Sequence, residues 1–131
     1  MEKDREQELM LKLGMFEQQI QQLQQQLQAV EQGIVELNSL NFGLDELKGG
    51  KGKEILSPVG RGIFAKTKLL SEELTVDIGG KNFVKKSIPE TKKIIEGQTK
   101  KLGEIKNDLE KNLENMNTEI REVMMGAQKE N

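Results

Sequence analysis

Few residues in this 131-residue chain could do covalent chemistry, because it contains no cysteine, histidine, tryptophan or tyrosine. Without cysteine there is no disulfide framework. Without cysteine or histidine the usual zinc and haem ligand sets are missing, as are Cys–His and Ser–His–Asp catalysis. No catalytic residue, metal site or cofactor is expected. The stretch Gly49-Gly50-Lys51-Gly52-Lys53-Glu54 does combine the residue types that cradle phosphate. A phosphate loop, however, follows a strand and sets Ser or Thr after its lysine, so that a hydroxyl meets the metal. Here Lys53 is followed by Glu54 and the stretch follows a helical pattern, so it reads as a solvated connector. What remains is adhesion. Met10, Met15, Met124 and Met125 are four of the six methionines, and methionine is flexible and polarizable, suited to surfaces that accept many partners.

The elements that carry these methionines come from the hydrophobic period. In Glu17 to Val30, "EQQIQQLQQQLQAV", the apolar letters are spaced three, four and three. Taking Leu13 as heptad position a, the a positions are Leu13, Ile20, Leu27, Ile34 and Asn41, and the d positions are Leu9, Phe16, Leu23, Val30, Leu37 and Leu44. A seam sustained over about five heptads predicts a coiled-coil helix over residues 4–47 rather than a disordered glutamine tract, glutamine being a good helix former. Met10, Leu11 and Met15 fall off this seam, at e, f and c, where a two-stranded coil has no use for apolar groups.

After a connector at residues 48–53 the period changes to two. "EILSPVGRGIFAKTKLL" reads as two strands about Gly60-Arg61-Gly62, and "ELTVDIGGKNFVKK" as two more about Gly79-Gly80-Lys81, giving two β-hairpins over residues 54–86. "SIPE" then offers Ser87 as N-cap, Pro89 in the first turn and Glu90 three residues after the cap, which starts a second helix over residues 87–126. Its apolar line runs Ile95, Leu102, Ile105, Leu109, Leu113, Met116, Ile120 and Val123. Gln98 fills one slot, and the four-four spacing at Ile105, Leu109 and Leu113 predicts one stutter.

Laid antiparallel, the two lines face each other in one register. Leu13 meets Val123, Phe16 meets Ile120, Ile20 meets Met116, Leu23 meets Leu113, Leu27 meets Leu109 and Ile34 meets Leu102, each pair of numbers adding to 136. The same register brings Val123, Met124 and Met125 beside Met10, Leu11 and Met15. Asn41 and Gln98, polar residues in seam slots, either fix the register or lie where the helices splay and water enters. Residues 1–47 carry net charge −6, residues 48–87 carry +5 and residues 88–131 carry −1. The basic middle has no Tyr or Trp to stack bases, so it reads as a platform surface and nucleic acid is not an expected partner. No apolar run is long enough for a membrane span, and "MEKDREQE" is too charged for a signal peptide, so no membrane association and a cytoplasmic location are expected.

The whole pattern resembles the alpha class of the prefoldin family. The residues that carry the resemblance are "ILSPVGRGIFAKTKLL" and "VDIGGKNFVKKSIPE", with the Pro58-Val59-Gly60 turn, Gly62, Phe64 and the glycine pair before "VKKS". Two strand pairs favour the alpha over the beta class. The fold class expected is α+β, a long antiparallel two-helix coiled coil with two β-hairpins inserted between the helices, in a single prefoldin-like domain. The resemblance implies that the hairpins join those of beta-type subunits in a β-barrel platform, two alpha with four beta, although a homo-oligomer is open. It also implies that non-native proteins are held without ATP and passed to a group II chaperonin. The expected oligomerisation residues are Ile55, Val59, Ile63, Phe64, Leu74, Val76, Ile78 and Phe83. A lone two-stranded hairpin is marginal and has open edges, which is an independent reason for a partner sheet. The expected client-binding residues are Met10, Leu11, Leu13, Met15, Val123, Met124 and Met125. A purely structural subunit, assembling through its hairpins into a ring or filament and holding no client, is the alternative.

Overall fold

The computed structural model describes residues 2–129, with side chains described through residue 126. The order is α1 (Glu2–Leu47), β1 (Glu54–Gly60), β2 (Ile63–Lys68), β3 (Leu74–Asp77), β4 (Phe83–Lys86) and α2 (Ile88–Lys129). These are two long helices with two antiparallel hairpins between them. Two compact units divide the chain, residues 1–34 with 101–131 and residues 35–100.

In α1 all eleven expected seam residues, from Leu9 to Leu44, are half-buried or buried, and apart from Gly33 and Leu47 the remaining described residues are exposed. The glutamines form the solvated face, as their helix propensity and polarity require.

In α2 the buried line differs from the one expected. Apart from Thr91 and Gly103, which lie beside it, its half-buried or buried positions run Ile88, Lys92, Ile95, Thr99, Leu102, Lys106, Leu109, Leu113, Met116, Ile120 and Val123, an unbroken alternation of four and three. Ile105 is 46% exposed and Gln98 is exposed. The expected stutter is therefore absent. The two seam slots expected to hold Gln98 and Ile105 are taken by Thr99 and Lys106 instead. Each solves its polarity locally. The Thr99 hydroxyl donates to the Ile95 carbonyl at 2.9 Å. The Lys106 ammonium stands 3.9 Å from both Glu31 and Glu110, so its aliphatic stem can cover the seam while the charge stays at the edge.

In the unit built from residues 1–34 and 101–131, α1 and α2 pair antiparallel. Glu31 meets Lys106, and a side-chain carbon placed on Gly33 would stand 3.2 Å from Leu102 Cδ1. Leu109, 8% exposed, is the buried hydrophobic residue of this unit among the described residues.

The unit of residues 35–100 has a core of Leu44, Ile88 and Ile95, with Leu37, Leu47 and Leu74 packed against it. Lys92 reaches across from α2 to pair with Asp45, and Lys48 approaches the same carboxylate at 3.6 Å. The Lys92 hydrogen bond, helped by the nearby Lys48 charge, holds the Asp45 carboxyl below its ordinary value. At the end of α1, Gly49 takes a left-handed φ of 68°. At the start of α2 the capping box forms. Glu90 N donates to Ser87 Oγ at 3.2 Å, while Ser87 Oγ and N donate to Glu90 Oε1 at 2.9 and 3.4 Å. The Ser87 hydroxyl is the main reason that the Glu90 carboxyl is held below its ordinary value. One seam residue in this unit is not solved: Asn41 Oδ1 is buried and has no hydrogen-bond partner among the described residues.

The hairpins form two separate two-stranded sheets, β1 with β2 and β3 with β4. Both turn through positive φ at two successive residues, Arg61 (50°) with Gly62 (77°), and Gly80 (60°) with Lys81 (63°). That is the mirror-image turn whose twist matches flanking strands. In the second hairpin the turn is closed by Asn82 N donating to Gly79 O at 3.1 Å, and Asp77 Oδ1 accepts from Gly79 N at 2.8 Å.

Candidate functional site

The glycine- and lysine-rich connector spends its amides internally. Gly49 N donates to Glu72 Oε1 at 2.6 Å, Gly50 N to Leu47 O, Gly52 N to Leu69 O and Lys53 N to Gly50 O. Those are the groups a phosphate would need. Among the described residues no group of three or more carboxylates converges, and no helix is long and apolar enough to cross a membrane.

The chemistry of the chain is therefore that of its exposed apolar surface, and the largest share of this falls in two places. The first is in the unit of residues 1–34 and 101–131. Met10 is 73% exposed, Leu11 69%, Met15 60%, Met124 51% and Met125 63%. In α1 the cause is the heptad: the residues sit outside the a and d stripe, so pairing with α2 cannot cover them. Met10, Leu11 and Met15, with Gln7, Gly14 and Gln18, line a shallow depression on α1. Gly14 meets nothing within 4 Å, and its missing side chain leaves the floor of that depression open. Leu13 and Val123, expected in the same group, are half-buried seam residues.

The second place is the hairpins. Strand pairing is Ile55 to Thr67, Leu56 to Lys66, Ser57 to Ala65 and Pro58 to Phe64, then a bulge at Val59 before Gly60 pairs with Ile63. Ile55, Ser57 and Thr67 are half-buried on one face, where the Ser57 and Thr67 hydroxyls meet at 2.6 Å. The opposite face shows Leu56 (69% exposed), Phe64 (58%) and, around the bulge, Val59 (70%) and Ile63 (62%). In the second sheet Leu74 pairs with Lys86, and Val76 with Val84, as the half-buried face. Leu74 packs against the helical core of its own unit. Ile78 and Phe83 are exposed. The expected oligomerisation residues thus divide: Ile55, Leu74 and Val76 lie on the more covered faces, while Val59, Ile63, Phe64, Ile78 and Phe83 are open.

Sequence reasoning missed Leu56, which strict alternation would have set on the face opposite Ile55. It also missed Val35, Leu40, Phe42 and Leu70, all exposed. Their signal was present, since Val35, Leu40 and Phe42 fall outside the a and d positions of α1.

Comparison with known proteins gives this arrangement a family. The family model described as Prefoldin subunit matches residues 16–131. Among curated proteins, the prefoldin subunit alpha of Methanobrevibacter smithii is 34% identical over 110 residues, covering 83% of this chain and 73% of that relative. The prefoldin subunit alpha of Methanosphaera stadtmanae is 27% identical over 89 residues, 68% of this chain, and the match spans 64% of that relative's own length. Among solved structures, a chain of the filamentous prefoldin of Methanocaldococcus jannaschii, determined by cryo-EM, shares the fold. Its TM-score is 0.76 at 24% identity, over 87% of this chain and 96% of that one. With two long helices, two intervening hairpins and alpha-subunit relatives, the chain belongs to the prefoldin family, a family of chaperone subunits rather than of enzymes.

Proposed function

We propose that the chain is a subunit of an ATP-independent cytoplasmic holdase, which grips non-native proteins at the free ends of its helices and delivers them to a group II chaperonin. One observation carries the reading: five large apolar side chains, Met10, Leu11, Met15, Met124 and Met125, are all more than half exposed in the same unit, off the seam. Exposed apolar groups gathered in one place are what a binding surface for unfolded chains requires. Methionine lets such a surface repack around unlike segments. Weak contacts from several subunits would add by linkage. Assembly with beta-type prefoldin subunits, two alpha with four beta, would use Leu56, Val59, Ile63 and Phe64 of the first hairpin and Ile78 and Phe83 of the second.

The test is light scattering of a denatured client diluted into buffer without ATP. The assembled protein should suppress scattering at near-stoichiometric amounts. The variant Met10→Ser, Leu11→Ser, Met124→Ser, Met125→Ser should assemble but fail to suppress it. The exposed hairpin faces support assembly equally well for a structural subunit that holds no client. Unchanged scattering in the presence of the assembled wild type moves that second reading to first place.

A further inference from the structure

The side chains that make the grip are also oxidisable ones. The chain has no cysteine to intercept a peroxide first. Four methionines stand open, Met10 at 73%, Met15 at 60%, Met124 at 51% and Met125 at 63% exposure, whereas Met116 is half-buried in the seam. Met1 lies outside the described residues. Oxidation of a thioether follows access of the oxidant to sulfur, so the exposed four react before the seam methionine.

We propose that this methionine group is a reversible oxidation site that switches client holding off, an inference that rests on the holdase reading above. The oxidant is of the peroxide class, with hydrogen peroxide as the probe. The thioether sulfur donates an electron pair to one peroxide oxygen, an S–O bond forms as the O–O bond breaks, and after proton transfer the second oxygen leaves as water. Sulfur is oxidised by two electrons and peroxide is reduced by two. The product sulfoxide is polar and a hydrogen-bond acceptor, so an apolar, adaptable contact becomes one that prefers water. Four of the five exposed apolar side chains in the group change together. Because holding sums weak linked contacts, their combined loss acts multiplicatively. The seam stays apolar, so the helices remain paired while the grip is lost.

The test compares each protein with its own untreated sample. The assembled wild type is exposed to hydrogen peroxide, quenched and assayed for suppression of client scattering, with sulfoxides mapped by mass spectrometry and helicity followed by circular dichroism. The expected result is sulfoxide at Met10, Met15, Met124 and Met125 ahead of Met116, unchanged helicity, and about tenfold or more protein needed for equal suppression. Reduction by methionine sulfoxide reductases acting on both sulfur epimers restores holding. The Met116→Leu variant loses holding on oxidation as the wild type does. The variant Met10→Leu, Met15→Leu, Met124→Leu, Met125→Leu shows no change between its own treated and untreated samples. Equal holding before and after complete oxidation overturns the switch and leaves the holdase reading standing. Loss that the reductases do not reverse, or that Met116→Leu alone prevents, also overturns it. If the untreated wild type holds no client, the holdase reading fails first and the switch falls with it.

Discussion

Asn41 is the residue that the heptad cannot digest. It holds an a slot, yet its carbonyl oxygen is buried without a partner among the described residues, whereas Thr99 in an equivalent slot bonds its own helix. A buried, unpaired polar atom costs about 1–3 kcal/mol. Asn41→Leu is therefore expected to raise the thermal midpoint, by an amount equivalent to about 1–3 kcal/mol, in circular dichroism melts. A midpoint that stays or falls means that Asn41 holds the local register and is worth its cost. The sequence left these two roles open, because a polar letter in a seam shows where the residue points but not what it meets. Lys106 and Thr99 are the opposite case. Their letters look unsuited to a seam, and only the distance of Lys106 to Glu31 and the Thr99 bond to Ile95 show how they fit.

At the scale of the element, the second helix is where reading by hydrophobicity and reading by geometry part. An apolar letter at Ile105 drew the expected line one residue off, and this produced a stutter that the helix does not have. The two lines make different forecasts. Leu109, buried at 8% exposure, should cost about 2–5 kcal/mol when changed to Ala. Ile105→Ser should stay within about 0.5 kcal/mol, as surface changes do. Denaturant melts of the two variants decide it, and a loss at Ile105 as large as that at Leu109 would restore the stuttered seam. The first helix, by contrast, was legible residue by residue, since its apolar letters keep strict spacing and the glutamines between them are unambiguous. The hairpins were legible as hairpins because period two, glycine pairs and β-branched residues all agree. Which face each side chain takes was less so. The bulge at Val59 breaks the alternation, and a bulge leaves little trace in sequence.

For the whole molecule the open question is what covers the exposed sheet face. Leu56 and Phe64 lie on one face of the first hairpin, at 69% and 58% exposure. If assembly buries them, Leu56→Ser with Phe64→Ser removes about 1.5–3 kcal/mol for each side chain. Association should then weaken by about tenfold or more for each residue. Sedimentation velocity with the partner subunit present reads this directly, and helicity should stay at its wild-type level because neither residue belongs to the helical core. An assembly unaffected by the double change would shift attention to the other hairpin, to Ile78 and Phe83. The family and the two-hairpin plan were legible from the turn residues of this region. The proposed client-gripping role was suggested by letters off the seam.

The exposed methionines come from opposite stretches of the chain, Met10 and Met15 from the first helix and Met124 and Met125 from the second. That separation has a consequence in time. During synthesis Met124 leaves the ribosome more than a hundred residues after Met10, some seconds later at about 5–20 residues per second. Until then the first helix has no antiparallel mate, and its whole seam, Leu9 through Leu44, is as open as its sticky flank. A nascent subunit is thus for a short while itself an exposed apolar segment, of the kind that the proposed holdase would hold. Pairing then closes from the hairpins outward, since contacts near the middle span the shortest loops, and the residues that would grip other proteins are the last to be presented on a finished surface.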